Sequence, residues 1–191
     1  MRTVVVVGVG ALGSHLIQFI RNVDAIIKLI DFDRIEMRNI SSQFHNKGSV
    51  GKGKVQAIAQ TMNFLWGLKV AGIPHKLTSE NDDQLLGDSD LLVDCLDNGA
   101  SRRLVQGFAR RSHIPCLHGA LAADGAFGRV IWSEDFKIDE EADAGAATCE
   151  NGEHLPFIAI VSSYLAYSIQ TFLTSGRKVG WQVHPGGAVR I

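Results

Sequence analysis

Val4-Val5-Val6-Val7-Gly8-Val9-Gly10-Ala11-Leu12-Gly13 stands near the start of the chain and decides its fold. Four β-branched residues in a row, without polar alternation, predict a strand buried on both faces of a parallel sheet. The glycines form GxGxxG, and Leu12, Leu16, Ile17 and Ile20 follow at helical spacing. Strand, glycine turn and helix in that order make a phosphate-binding unit. Gly8 suits the tight turn, Gly10 lets backbone approach a phosphate, and Gly13 packs helix on strand. The helix starting at Ala11 points its positive dipole end at the anion.

Outward from this unit, residues 25–30 read as a second buried strand ending at Asp31, eighteen residues beyond Gly13. A carboxylate there can accept hydrogen bonds from ribose hydroxyls. Residues 32–51 are polar and irregular, a connection long enough to be functional. Helices are expected over 51–66, 82–86, 100–112 and 155–174, the last stopping at Gly176. Strands are expected within 69–75, 91–94, 114–117 and 127–132, and 181–184 with 188–191 flank a hairpin-like Pro185-Gly186-Gly187. Residues 135–153, acidic and Ala/Gly-rich, read as a mobile loop. The alternation predicts an α/β, Rossmann-like, doubly wound and mainly parallel sheet, with antiparallel strands toward the C-terminus. Residues 1–191 fit one domain.

Composition narrows the function classes. The chain is 46% hydrophobic and 20% charged, enough to bury a core and too apolar for disorder. Nineteen Lys and Arg against 20 Asp and Glu give a net charge of -1, so no overall basic field is available for nucleic acid. Cys95, Cys116 and Cys149 are too few and too scattered for a disulfide scaffold, and a cytoplasmic location is expected. No uninterrupted apolar run of about 18 residues occurs, which argues against a membrane span. Residues 155–174 read instead as a core helix. The seven histidines show no metal-ligand spacing and read as structural or surface groups.

Up to Asp31 the motif fits NAD as well as ATP, so an NAD-binding oxidoreductase stays open. The continuation is more specific. Asp31-Phe32-Asp33-Arg34-Ile35-Glu36-Met37-Arg38-Asn39-Ile40-Ser41-Ser42-Gln43 precedes Gly51-Lys52-Gly53-Lys54, which opens a helix. Asp94-Cys95-Leu96-Asp97-Asn98 closes a later strand, with Arg102 one turn on. Together these motifs resemble the ThiF/MoeB/HesA family, relatives of the ubiquitin-activating enzymes, over nearly the whole chain.

The resemblance implies an ATP- and Mg²⁺-dependent adenylyltransferase that activates the C-terminal carboxylate of a ubiquitin-like protein or peptide. It places Asp31 at the ribose, Asn39 and Lys54 at the phosphates, and Asp97 at Mg²⁺ or the reacting centre. Asn98 sits beside the nucleotide, and Gly8, Gly10, Ala11, Asp33 and Arg38 complete the expected binding set. For Asp97 a competing reading is a cap for the helix from Ala100. Cys149 falls where several members carry a thioester- or disulfide-forming cysteine. Its acidic surroundings, Glu141, Asp143 and Glu150, oppose a thiolate, and an idle loop cysteine is the competing reading.

The chain also departs from the family pattern. Ser42 stands where an arginine usually contacts phosphate, with Arg34 and Arg38 near enough to substitute. The first strand begins at Thr3, without the preceding helix whose arginine completes a partner's site. No CxxC pair is present, so a zinc site of the family type is not expected. A homodimer, or a partner subunit supplying an arginine, is the expected assembly, and Tyr164, Tyr167 and Phe172 are candidates for its interface. A noncatalytic nucleotide-binding or scaffold subunit is the alternative that these losses favour.

Overall fold

A computed structural model describes residues 1–122, 124–138, 152 and 154–191. Strand β1 (Arg2–Val7) lies between β2 (Ala25–Ile30) and β4 (Leu91–Asp94), parallel to both. The short β3 (Ala71–Ile73) flanks β2 and β5 (Cys116–Leu121) flanks β4, also in parallel. Then β6 (Gly128–Trp132), β7 (Trp181–His184) and β8 (Gly187–Arg190) extend the sheet antiparallel, for the order β3-β2-β1-β4-β5-β6-β7-β8. This is the mixed sheet expected from the sequence.

The valine run is buried on both faces because each face has its own core. Val4 and Val6 join Leu16, Ile17, Ile58, Met62, Val161 and Leu165 on one side. Those residues come from α1 (Ala11–Phe19), α2 (Lys54–Trp66) and α5 (Leu155–Ser175). Val5 and Val7 pack with Leu86, Val105 and Phe108 from α3 (Asp82–Leu86) and α4 (Gly99–Arg111) on the other. Among the described residues α5 alone is long and apolar enough to cross a membrane. Its Phe157, Ile158, Val161, Leu165 and Ile169 are buried in the first core, as a core helix requires. It begins with Pro in its first turn and stops at Gly176, whose φ of 71° is left-handed.

Several boundaries differ from the sequence expectation. Helix α2 starts at Lys54 rather than residue 51, because Gly51 and Lys52 exchange backbone hydrogen bonds with Ile35. Strand β3 is short because Pro74 has no N–H for the ladder. Strand β5 begins at Cys116 because His113, at φ 54°, and Ile114, bonded back to Ala109, still belong to the end of α4. It continues to Leu121 through His118 and Gly119, which carry no apolar signal. The start of the expected 135–153 loop is a turn bonded to Trp132 through the N–H groups of Asp135 and Phe136, with Phe136 buried. Residues 139–151, Cys149 among them, lie outside the described residues.

Candidate nucleotide-binding site

The chain leaves β1 for β2 and β3 on one side and returns to β4 and β5 on the other. The crevice at that switch, outside the carboxyl ends of the strands, is where open α/β sheets take ligands. Here it is a cavity of about 760 Å³. Val7 and Gly8 at the end of β1, Asp31 after β2, and Cys95 and Asp97 after β4 all face it.

The three motif glycines do three different things. Gly8 has φ 91°, and a Cβ on it would meet the Cys95 carbonyl oxygen at 2.9 Å. A Cβ on Gly13 would lie 2.0 Å from the Gly8 carbonyl oxygen, so α1 rests directly on the turn. Gly10 is the reverse: nothing lies within 4 Å of its Cβ position, and it lines the cavity. An open backbone face at a helix N-terminus is what an approaching phosphate needs.

Asp31 fixes this turn. Its Oδ2 accepts the Val9 N–H at 2.7 Å and its Oδ1 accepts the Asp33 N–H at 2.8 Å. Burial raises the Asp31 pKa, while Lys54 and those two N–H groups pull it down. Lys54, the first residue of α2, is buried rather than solvated, and its ammonium meets Asp33 Oδ2 at 2.9 Å. Its backbone N–H bonds the Asp33 carbonyl as well.

Asn39 is buried and braces the irregular segment from within. Its Oδ1 accepts the Glu36 N–H at 2.8 Å, while the Glu36 side chain accepts the Asn39 N–H, closing a reciprocal cap on a 3-10 turn over Met37–Ser41. Arg38, exposed, pairs with Glu36 at 2.8 Å. Arg34 donates to the Gly51 carbonyl at 2.9 Å. Both arginines line the cavity, as does Ser42, itself only 2% exposed.

After β4, Asn98 takes the capping role that competed for Asp97. Asn98 Oδ1 accepts the Ser101 N–H at 2.9 Å and α4 starts at Gly99. Asp97 is left exposed, with a long contact of 3.4 Å from Asn98 Nδ2. The expected set thus converges: Gly8, Gly10, Ala11, Asp31 and Asp33 share one cavity with Arg38, Asn39, Lys54, Asp97 and Asn98. Among the described residues no group of three or more His, Cys, Asp or Glu is placed to hold a metal. One carboxylate at Asp97 is still compatible with Mg²⁺, which commonly takes one or two carboxylates together with substrate phosphates and water.

The sequence assigned no site role to Phe32 or Lys76. Phe32 is exposed with Lys76 Nζ 5.7 Å from its ring centroid, and both line the cavity. Beneath the site, Asp94 is fully buried and its Oδ2 accepts from Arg102 at 2.9 Å and His118 at 2.7 Å. His118 stacks on Phe136 at 4.2 Å, and Arg102 also donates to the Gly119 carbonyl at 2.8 Å. An acidic residue ending an apolar strand was the available clue, but its histidine partner lies 24 residues away. Cys95 and Cys116 are free and buried, and burial pushes both thiols up, away from nucleophilic character.

Residues 2–180 match the ThiF family. The chain belongs to the ThiF family. This ThiF-family chain is 34% identical over 124 residues to the sulfur carrier protein adenylyltransferase of Thermus thermophilus, covering 62% of this chain and 45% of that protein. It is 32% identical over 124 residues to the SAMP-activating enzyme E1 of Haloferax volcanii, again 62% of this chain and 45% of the relative. Against the molybdopterin-synthase adenylyltransferase of Escherichia coli it is 26% identical over 172 residues, 85% of this chain and 69% of that one. It therefore spans less than half the length of the first two. In fold the ThiF-family chain is similar to the crystal structure of E. coli MccB with ATP, at TM-score 0.79 and 17% identity, covering 100% of this chain and 62% of the other. It is also similar to PaaA, at TM-score 0.76 and 17% identity, over 100% and 64%.

Proposed function

We propose that the chain binds ATP with Mg²⁺ and adenylates the C-terminal carboxylate of a ubiquitin-like protein or peptide. What carries this reading is one cavity in which the open backbone at Gly10, the buried ammonium of Lys54 and the exposed carboxylate of Asp97 face one another. The relatives named as adenylyltransferases of sulfur carrier proteins and of molybdopterin synthase support it.

A carboxylate oxygen forms a bond to the α-phosphorus, the bond from that phosphorus to the bridging oxygen breaks, and pyrophosphate leaves. Several negative charges must be held together, so catalysis is positioning and electrostatics. The α1 N-terminus and Lys54 hold phosphate, Asp31 keeps the turn in shape and offers its remaining lone pairs to ribose, and Asn39 braces the segment beside them. Mg²⁺, held through Asp97 and the phosphates, would offset charge on the departing group. ATP–pyrophosphate exchange with candidate ubiquitin-like partners tests the reading. Exchange that depends on one partner and on Asp97 supports it; no exchange together with no ATP binding by calorimetry removes it.

A second reading is a nucleotide-binding subunit that needs a partner's arginine, or its own copy's, for turnover. Ser42 favours it, a buried uncharged side chain lining the cavity at the position of the family arginine. Ser42→Arg should then raise exchange; unchanged affinity and unchanged turnover would discard it.

A further inference from the structure

Gln43 lines the cavity, yet the reaction proposed above gives it no task. It stands on the segment between Asn39 and Lys54, the two residues expected at the phosphates. Its backbone is held from both sides, since each peptide group flanking its Cα is bonded at both ends. In the first group, the Gln43 N–H donates to the Asn39 carbonyl at 2.8 Å and the Ser42 carbonyl meets His15 Nε2 at 3.1 Å. In the second, the Gln43 carbonyl accepts the His45 N–H at 2.7 Å and the Phe44 N–H donates to Ser14 Oγ at 2.9 Å. Four bonds on two planar groups fix φ and ψ, and with them the direction in which the side chain leaves the backbone.

Two of those four bonds come from adjacent residues of α1. Ser14 is fully buried and His15 is 8% exposed. The Ser14 N–H bonds the Gly10 carbonyl at 3.0 Å, so Gln43 is held against the same turn that offers its backbone to phosphate. The histidine contact has one consistent protonation state. A carbonyl only accepts, so the ring carries its proton on Nε2, toward Ser42. An amide nitrogen only donates, so Nδ1 accepts from Gln18 Nε2 at 3.2 Å. Burial lowers the His15 pKa, in keeping with a neutral ring. The ring brings no charge to the site; it brings direction.

We propose that His15 is a positioning residue that acts through Gln43. With Ser14 it aims the Gln43 carboxamide at the nucleotide, where the amide N–H donates to a phosphate oxygen. This inference rests on the nucleotide reading.

Calorimetry with ATP–Mg²⁺ on the wild type, His15→Phe, Gln43→Ala and the double variant tests it. Phenylalanine keeps a ring of similar size and cannot donate. His15→Phe should weaken ATP binding about fivefold, the value of one hydrogen bond. His15→Gln, whose amide can donate in place of the ring nitrogen, should recover most of that loss. In the Gln43→Ala background His15→Phe should cost no further affinity, because the group it directs is gone. Should His15→Phe not fold, Ser14→Ala removes the other α1 contact and takes its place in the cycle. Protein carrying ¹⁵N-labelled histidine, followed by NMR at about pH 7.5, should show the His15 ring neutral with its proton on Nε2. A proton on Nδ1 overturns the inference. So does an equal loss with and without Gln43, or no loss in His15→Phe while the wild type binds ATP. A wild type that binds no ATP overturns the nucleotide reading and this inference together.

Discussion

Lys54 Nζ lies 2.9 Å from Asp33 Oδ2, with the lysine side chain 8% exposed and the carboxylate 48% exposed. The cation is fixed by burial and its partner remains open to water. An incoming phosphate therefore finds a pre-positioned ammonium and has only to share it with a half-solvated carboxylate. Lys54→Met should weaken ATP binding by about 10- to 100-fold, the value of a charge-assisted contact, and abolish pyrophosphate exchange. Calorimetry and exchange measure the two effects separately. Wild-type affinity in the variant would remove Lys54 from the phosphate site.

The glycines give a test that separates folding from binding. Gly13→Ala places a methyl 2.0 Å from the Gly8 carbonyl oxygen and should destabilise the chain by about 3 kcal/mol or more. Gly10→Ala adds a methyl to open space and should change stability by less than about 1 kcal/mol. Its effect should fall on ATP affinity, by about tenfold, or 1.4 kcal/mol. Urea unfolding and calorimetry on both variants decide whether the two glycines divide the work in this way.

Asp94 holds Arg102 and His118 together in a dry site. Asp94→Asn leaves the Arg102 guanidinium, largely buried, without its counter-charge, and should cost about 3–5 kcal/mol in urea unfolding. Adding Arg102→Met should recover part of that loss, because the uncompensated charge goes with it. Strict additivity of the two changes would show that the pair does not act as a unit.

Stability should also depend on pH through His15 and His45. The folded-state pKa of His45, about 4, lies below its unfolded value of about 6.5, and His15 is shifted in the same direction. The unfolded chain therefore binds more protons between those limits. Stability is full above about pH 6.5 and declines as pH falls toward 4, by about 2 kcal/mol at pH 5 for His45. Asp31, raised by burial, has the opposite sign in the window just above 3.8, where rising pH costs stability. His45→Phe should flatten the profile between pH 7 and 5, and an unaltered slope in thermal melts at those pH values would rule out the neutral buried ring.

What the sequence disclosed and what it hid divide along the range of the interactions. Val4 to Val7, Gly8, Gly10 and Gly13 announce their roles because strand, turn and helix start are set by neighbours in the chain. The position of Lys54 is legible from its helix start, but not its burial, which comes from Asp33 and the segment looping back over it. Asn98, not Asp97, caps α4, a distinction of one residue that only the backbone decides. The Asp94–His118 contact joins two strands side by side in the sheet, and no pattern along the chain marks it.

Helix α5 lies across α1 with Ser162 Oγ donating to the Leu12 carbonyl at 3.2 Å, and Gln170 reaching the Phe19 carbonyl at 3.4 Å. The helix that presents its first turn to the ligand is thus gripped along its length by residues 150 positions later. A fragment ending before Leu155 would retain every residue assigned to the cavity, yet strip α1 of apolar cover. The smallest portable piece of this site is not its motif-bearing first half but a clasp whose two jaws come from opposite ends of the polypeptide.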